Sequence, residues 1–249
     1  MENFKNDVKI KLIALDMDGT LLTNKHEISA ANRQAIKEAR EKGVIVVLST
    51  GRSIRKVRRH MDSLELTSYL VTVNGSEIWD ENRELVERSI VKTDLMQWMW
   101  SLSQEHNTGF WAISTENNYY GEMPGDIHEH EWLKFGFTIE DDTIREKIFF
   151  ELQEKGEFEL TNSTPKNIEV NPSGINKAKG LQIVCERLGI EMKNVMAVGD
   201  SLNDLAMIEE AGLGVAMENA QDIVKKAADW VTASNNEDGV AIAIQKWVL

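Results

Sequence analysis

Short apolar runs alternate with amphipathic stretches in the first and last thirds of the chain. Residues 44–48 are apolar at every position, as expected of a strand buried on both faces of a parallel sheet. Residues 176–188 carry apolar side chains at helical spacing, and Ser29 and Gly43 frame a helix over 30–42. We therefore predict a Rossmann-like doubly wound α/β domain. Its strands are predicted at 9–15, 44–48, 69–73, 195–198, 213–217 and 230–232.

The middle of the chain has a different pattern. Residues 77–90 indicate a hairpin, and residues 93–106 and 142–155 indicate two helices. Short stretches after each of these helices alternate as antiparallel strands do, at 110–114 and 118–121 and at 158–161 and 167–170, whereas 122–140 has no clear pattern. We therefore predict an α+β domain at 83–172, inserted into an α/β domain made of 1–82 and 173–249.

Acidic side chains follow two of the predicted strands. Residues 16–20 (DMDGT) come directly after the first strand, and residues 199–204 (GDSLND) follow the strand at 195–198. Because ligands of open α/β sheets bind at the carboxyl ends of strands, we expect these carboxylates to share one site.

Two further polar groups are expected at the same edge of the sheet. Residues 49–52 (STGR) follow a strand and precede a basic helix that ends near Leu64, so a hydroxyl and helix N-terminal N–H groups could bind an anion there. Lys177 stands where the chain returns from the insert. The Gly-x-x-Lys spacing favours it over Lys179.

The order of these motifs resembles the haloacid dehalogenase superfamily of phosphohydrolases. The motifs follow the order that is typical of this family: DMDGT, STGR, a lysine after the insert, and GDSLND. The insert lies where members with a type IIB cap carry theirs. Asn74-Gly75 and the runs at 215–220 (VAMENA) and 237–241 (EDGVA) resemble the Cof-type subfamily. The resemblance extends over nearly the whole chain.

This resemblance implies a Mg²⁺ site and covalent catalysis. Asp16 would be both a ligand and the nucleophile that forms an aspartyl-phosphate, and Asp18 would be the general acid and base as well as a ligand through its main-chain carbonyl. Asp200 would be a direct ligand, whereas Asp204 would hold the metal waters, Lys177, or both. Clustered carboxylates raise each other's pKa unless a cation joins them, which agrees with this assignment.

The resemblance also implies a phosphate site. Thr50 and Lys177 would bind the transferring phosphoryl oxygens. Arg52 has two open interpretations, a substrate contact or a salt bridge that shapes the turn, and Asn74 either fixes a turn or touches substrate. The expected phosphate and substrate contacts are Gly19, Thr50, Gly51, Arg52, Asn74, Lys177 and Asn203.

Composition narrows the class of ligand. The formal net charge is −13, from 28 basic and 41 acidic residues, which argues against nucleic acid and anionic membranes as partners. Residues 83–172 hold 18 of the acidic and 8 of the basic residues. No apolar window is long enough to span a bilayer, and the N-terminus does not resemble a secretory signal. With Cys185 as the only cysteine, a reducing cytoplasm is the expected location.

We predict a Mg²⁺-dependent phosphatase acting on a small phosphorylated metabolite such as a sugar phosphate, present as a monomer or homodimer. A phosphosugar mutase and a noncatalytic phosphometabolite sensor remain alternatives. Substrate contacts are to be sought in the insert around 111–137. Most of its tryptophans are expected in the core of the insert, and one or two near the cleft could pack on a substrate ring; these are Trp98, Trp100, Trp111 and Trp132.

Overall fold

Two β-sheets organise residues 9–249, the part of the chain that the computed structural model describes. The strands are β1 (Leu12–Leu15), β2 (Ile45–Ser49), β3 (Leu70–Thr72), β4 (Glu77–Trp79), β5 (Leu85–Arg88), β6 (Gly109–Ser114), β7 (Asn118–Tyr120), β8 (Trp132–Thr138), β9 (Phe158–Thr161), β10 (Asn167–Pro172), β11 (Val195–Gly199), β12 (Leu213–Ala216) and β13 (Trp230–Val231).

The helices pack on both sheets. They are α1 (Ala30–Glu41), α2 (Ile54–Ser63), α3 (Thr93–Glu105), α4 (Asp142–Lys155), α5 (Lys177–Leu188), α6 (Leu202–Glu210), α7 (Asp222–Ala227) and α8 (Gly239–Trp247). Within residues 9–249, none of these helices is long and apolar enough to cross a lipid bilayer.

The larger sheet has the strand order β13-β12-β11-β1-β2-β3-β4-β5. Neighbouring strands are parallel from β13 to β3, and β4 and β5 extend the sheet as antiparallel strands. Ile13 and Leu15 of β1 enter the core beneath α1, α2 and α8, whereas Leu12 and Ala14 enter the core beneath α5 and α6. The predicted doubly wound α/β fold is therefore confirmed.

The smaller sheet is antiparallel, with the order β7-β6-β8-β10-β9. Helices α3 and α4 cover one of its faces and bury Met99 and Ile148 against Phe135 of β8. Its central strand, β8, lies in the stretch 122–140 that the sequence pattern leaves unassigned. This α+β domain is the cap, and the predicted combination of an α/β core with an inserted α+β domain is confirmed.

The junction between core and cap lies at a different position from the boundary at residue 83 that the sequence pattern predicts. Strand β5 pairs with β4 in the larger sheet, with Glu77 opposite Arg88, and Ser89 donates its N–H to the Ser76 carbonyl. After β5, the chain joins the cap sheet through the backbone bridge between Val91 and Trp132. We therefore propose that the cap begins near 90 rather than at 83, and that it ends near 172.

Contacts between cap and core lie on two sides of the sheet edge where β1, β2 and β11 end. On one side, Arg55 of α2 donates to the Thr115 carbonyl at 2.7 Å and to Asn118 at 3.3 Å. On the other side, the Ser201 hydroxyl donates to the Ser163 carbonyl at 3.1 Å. The cap is therefore closed over the carboxyl ends of the central strands.

Candidate active site

Asp16 and Lys177 meet at the end of β1. The Asp16 N–H donates to the Val198 carbonyl of β11 at 3.0 Å. The backbone pairing of β1 with β11 therefore extends to Asp16. Lys177 is the first residue of α5, and its ammonium donates to Asp16 Oδ1 and to Asp204 Oδ1, each at 2.6 Å. Lys179 is exposed on the same turn. Of the two candidate lysines, Lys177 is the one in the carboxylate cluster.

The start of α6 fixes Asp204. The helix begins at Leu202, because Ser201 is its N-cap and Asp204 completes a capping box. Asp204 Oδ2 accepts the N–H groups of Asp200 at 2.9 Å and of Ser201 at 3.1 Å. The helix start therefore uses one oxygen of Asp204 and leaves the other for Lys177.

The turn after β1 passes directly against Asp200. Gly19 has a positive φ of 82°, and a Cβ there would lie 2.5 Å from Asp200 Oδ2, so only glycine fits this approach. Thr20 donates its hydroxyl to Asp200 Oδ1 at 3.1 Å, and the Ser201 hydroxyl oxygen lies 2.9 Å from Oδ2. These contacts hold Asp200 beside the turn of the DMDGT motif.

The cluster carries more negative charge than its lysine offsets. Ligand oxygens of Asp16, Asp200 and Asp204 lie within 4.8 Å of one another. Burial and the charge of Asp204 raise the pKa of Asp16 well above its ordinary value, and the same two causes raise the pKa of Asp200 to about 7. Burial lowers the pKa of Lys177, but the charges of Asp16 and Asp204 outweigh burial and raise it. This oxygen-only donor set suits a hard divalent cation.

Asp18 lies outside this cluster. Its carboxylate accepts two hydrogen bonds from Arg52, at 2.7 Å from Nε and 2.5 Å from Nη2, and its side chain is 48% exposed. Arg52 therefore forms a salt bridge with Asp18, and it also lines the cavity between cap and core. The carboxylate of Asp18 faces the cavity between cap and core. This orientation is compatible with the expected metal ligand, because that ligand is the main-chain carbonyl of Asp18.

Thr50 and Gly51 form the neighbouring edge of the site. Thr50 follows β2, is buried, and accepts the Arg52 N–H on its hydroxyl at 3.2 Å. The loop then enters α2 at its N-cap, Ser53. The predicted phosphate loop therefore lies beside the carboxylates, as the strand order requires.

A buried polar network joins the cap to this loop, and sequence reasoning missed its two charged members, Lys134 and Glu169. Glu169 of β10 accepts from Lys134 of β8 at 2.5 Å and from Asn74 at 2.7 Å, and Asn203 lies 3.4 Å from Asn74. Burial tends to raise the pKa of Glu169, but Lys134 and the other donors lower it. Asn74, at a positive φ of 57°, thus both forms the turn and binds the cap. The available signal in the sequence was one charged residue within each strand, Lys134 in β8 and Glu169 in β10.

These groups surround a cavity of about 290 Å³ between cap and core. Its lining combines reactive carboxylates, cationic side chains and aromatic rings. The residues that line it include Asp16, Asp18, Gly51, Arg52, Trp111 and Lys134. A cavity of this size fits a small metabolite.

Comparisons with known proteins agree with this geometry. A family model for haloacid dehalogenase-like hydrolases matches residues 13–147 and 124–244. The 5-amino-6-(5-phospho-D-ribitylamino)uracil phosphatase YcsE of Bacillus subtilis is 60% identical over 245 residues, which is 98% of each chain.

Solved structures show the same architecture. A haloacid dehalogenase-like hydrolase from B. subtilis superposes with a TM-score of 0.88 at 26% identity, covering 95% of this chain and 99% of that one. The subclass IIB sugar phosphatase BT4131 superposes with a TM-score of 0.83 at 24% identity, covering 95% and 98%, and this likeness concerns the fold. The chain therefore belongs to the haloacid dehalogenase-like hydrolases and is a phosphatase of that family.

Proposed function

We propose that this protein is a Mg²⁺-dependent phosphatase that works through an aspartyl-phosphate on Asp16. The arrangement of Asp16 carries the proposal. Lys177 holds its Oδ1, and the carboxylate lies at the end of β1 within reach of Asp200 and Asp204. Its second oxygen, Oδ2, is the proposed nucleophile.

Asp16, Asp200 and the main-chain carbonyl of Asp18 would hold the Mg²⁺, with Asp204 fixing its surroundings. When bound, the cation offsets the clustered carboxylate charge and neutralises charge on the transferring phosphoryl group. The raised pKa values of Asp16 and Asp200 support this, because both carboxyls lack sufficient positive charge without it.

The first chemical step forms the covalent intermediate. Asp16 Oδ2 bonds to phosphorus while the bond from phosphorus to the ester oxygen breaks, and Asp18 donates its proton to that leaving oxygen. Arg52 holds both Asp18 oxygens, so it must release one of them before this transfer. Lys177 keeps the other Asp16 oxygen in place.

The second step regenerates Asp16. Asp18 takes a proton from a water molecule, the water oxygen bonds to phosphorus, and the bond from phosphorus to Asp16 breaks to release inorganic phosphate. Thr50, Gly51 and Lys177 would hold the phosphoryl oxygens in both steps. The closed cap excludes bulk water during the first step.

We further propose 5-amino-6-(5-phospho-D-ribitylamino)uracil as the first substrate to test. The relative YcsE, named for this substrate, is 60% identical over 98% of both chains. The compound carries a phosphorylated sugar alcohol, within the class of small phosphomonoesters that the cavity accommodates.

Release of inorganic phosphate by the purified protein tests this function. We expect the highest kcat/KM with the ribitylaminouracil phosphate among a panel of sugar phosphates, loss of activity in EDTA, and recovery when Mg²⁺ is restored. Isomerised sugar phosphates with little free phosphate would contradict hydrolysis and indicate a mutase. Absence of turnover on every ester would contradict the enzyme assignment.

A further inference from the structure

One face of the cap sheet presents a row of side chains to the catalytic loop. Trp111 of β6 lies opposite Gly136 of β8, and Gly136 lies opposite Glu169 of β10. Residues directly opposite in antiparallel strands project from the same face. Lys134, two residues before Gly136, donates to Glu169 on this face.

The indole of Trp111 rests directly on Gly136. A Cβ at Gly136 would lie 2.1 Å from Cε2 of the ring and 2.3 Å from Cζ2, so a side chain there would displace the indole. Trp111 is half-buried and lines the cavity between cap and core. The sheet therefore holds a rigid aromatic surface beside the substrate space.

Lys134 stands between this indole and the phosphate loop. Its Nζ lies 4.9 Å from the centroid of the Trp111 ring, and a Cβ on Gly51 would lie 3.2 Å from the same Nζ. An ammonium has three N–H donors, whereas among the described residues Lys134 donates one hydrogen bond, to Glu169. Because the side chain is buried, a ligand oxygen would satisfy a remaining donor.

The order along the cavity is thus phosphoryl site, ammonium, aromatic ring. Resting on the phosphatase function proposed above, we propose that Trp111 is a specificity-determining residue for esters whose leaving group carries a planar heterocycle. The indole packs against that heterocycle, and Lys134 donates to an oxygen between the heterocycle and the phosphoryl group. Base-to-aromatic stacking has the strength to select one ester over another.

Two esters isolate the contribution of the ring. They are 5-amino-6-(5-phospho-D-ribitylamino)uracil and D-ribitol 5-phosphate, which has the phosphorylated chain without the heterocycle. The wild type should show the higher kcat/KM for the ring-bearing ester. Trp111→Leu should lower that value about 5- to 100-fold. The same variant should change kcat/KM for ribitol 5-phosphate less than about twofold.

Three further variants separate recognition from folding. Trp111→Phe keeps an aromatic ring and should retain most of the preference. Gly136→Ala keeps the tryptophan but displaces it, so it should reproduce the Trp111→Leu pattern. Trp98→Leu is the matched control, because Trp98 is a cap tryptophan that stacks on Phe158 away from the cavity lining. It should leave both kcat/KM values unchanged.

The outcomes distinguish this inference from the phosphatase function. An equal loss on both esters in Trp111→Leu would mean that the indole only supports Lys134, and would overturn the inference. A wild type that releases phosphate from both esters without preferring the ring-bearing one would also overturn it and leave the phosphatase function standing. A wild type that hydrolyses no ester would overturn both.

Discussion

At the scale of single residues, the balance between the clustered carboxylates and Lys177 determines the electrostatics of this site. Asp16, Asp200 and Asp204 converge because each is fixed by backbone geometry, at the end of β1, beside the Gly19 turn and at the start of α6. Their convergence costs free energy that Lys177 offsets only in part, as the raised pKa values of Asp16 and Asp200 show. The residues best placed for chemistry are therefore also a source of instability without a cation.

This imbalance predicts how stability depends on pH. The pKa of Asp200 is about 7 in the folded chain and near 3.8 ordinarily, so the folded state binds more protons between these values. Stability without metal should therefore fall as pH rises through this window. In EDTA, Asp200→Asn should nearly match the wild-type Tm below about pH 4, and its Tm advantage should grow with pH until about pH 8.

Magnesium supplies the control for that experiment. Adding Mg²⁺ near about pH 8 should raise the wild-type Tm, because a ligand that binds the folded state stabilises it, and should do so much less in Asp200→Asn. Parallel Tm changes in the two proteins, with pH and with Mg²⁺, would contradict the assigned charge balance.

At the scale of elements, α2 and the β6–β7 hairpin connect the core to the cap. Arg55 donates to the Thr115 carbonyl and to Asn118, and Lys56 lies 4.8 Å from the centroid of the Tyr120 ring. The basic helix predicted after residues 49–52 therefore uses part of its exposed face to hold the cap.

Arg55→Ala should loosen the closed state. We expect kcat/KM to fall about three- to tenfold, because only the closed fraction of molecules has the complete cavity. The free energy of unfolding should change by less than about 1 kcal/mol, because the pair is exposed. Arg58→Ala, on an exposed position of the same helix, is the matched control. Equal kcat/KM in both variants and the wild type would exclude this role for Arg55.

Local pattern was sufficient for the core and for most of the cap, but it missed β8, the central strand of the cap sheet. The strand predicted at 44–48 is β2, displaced by one residue, because a fully buried parallel strand is a continuous apolar run. Strand β8 lacked that signal, since Lys134 and Gly136 interrupt it and both its faces are covered. The pairing of Lys134 with Glu169 joins residues 35 positions apart, and no local period reports such a contact.

At the scale of the whole molecule, the distribution of charge reconciles an acidic chain with an anionic substrate. Residues 83–172 hold 18 acidic and 8 basic residues, but the cap contributes Lys134 to the cavity, and the core contributes Arg52 and Lys56. The phosphoryl group therefore meets cations inside a negatively charged protein. Such a cavity favours a small monophosphate over a polyanion.

The central claim is that Asp16 carries the phosphoryl group, and trapping the intermediate tests it most directly. Asp18→Asn should stall the second step, and an aryl phosphate needs little proton donation in the first. With Mg²⁺ and this ester, the intact mass of Asp18→Asn should rise by one phosphoryl group located on Asp16, and the double variant Asp16→Asn with Asp18→Asn should show no gain. A phosphoryl group on another residue, or near-native turnover by Asp16→Asn alone, would contradict the account.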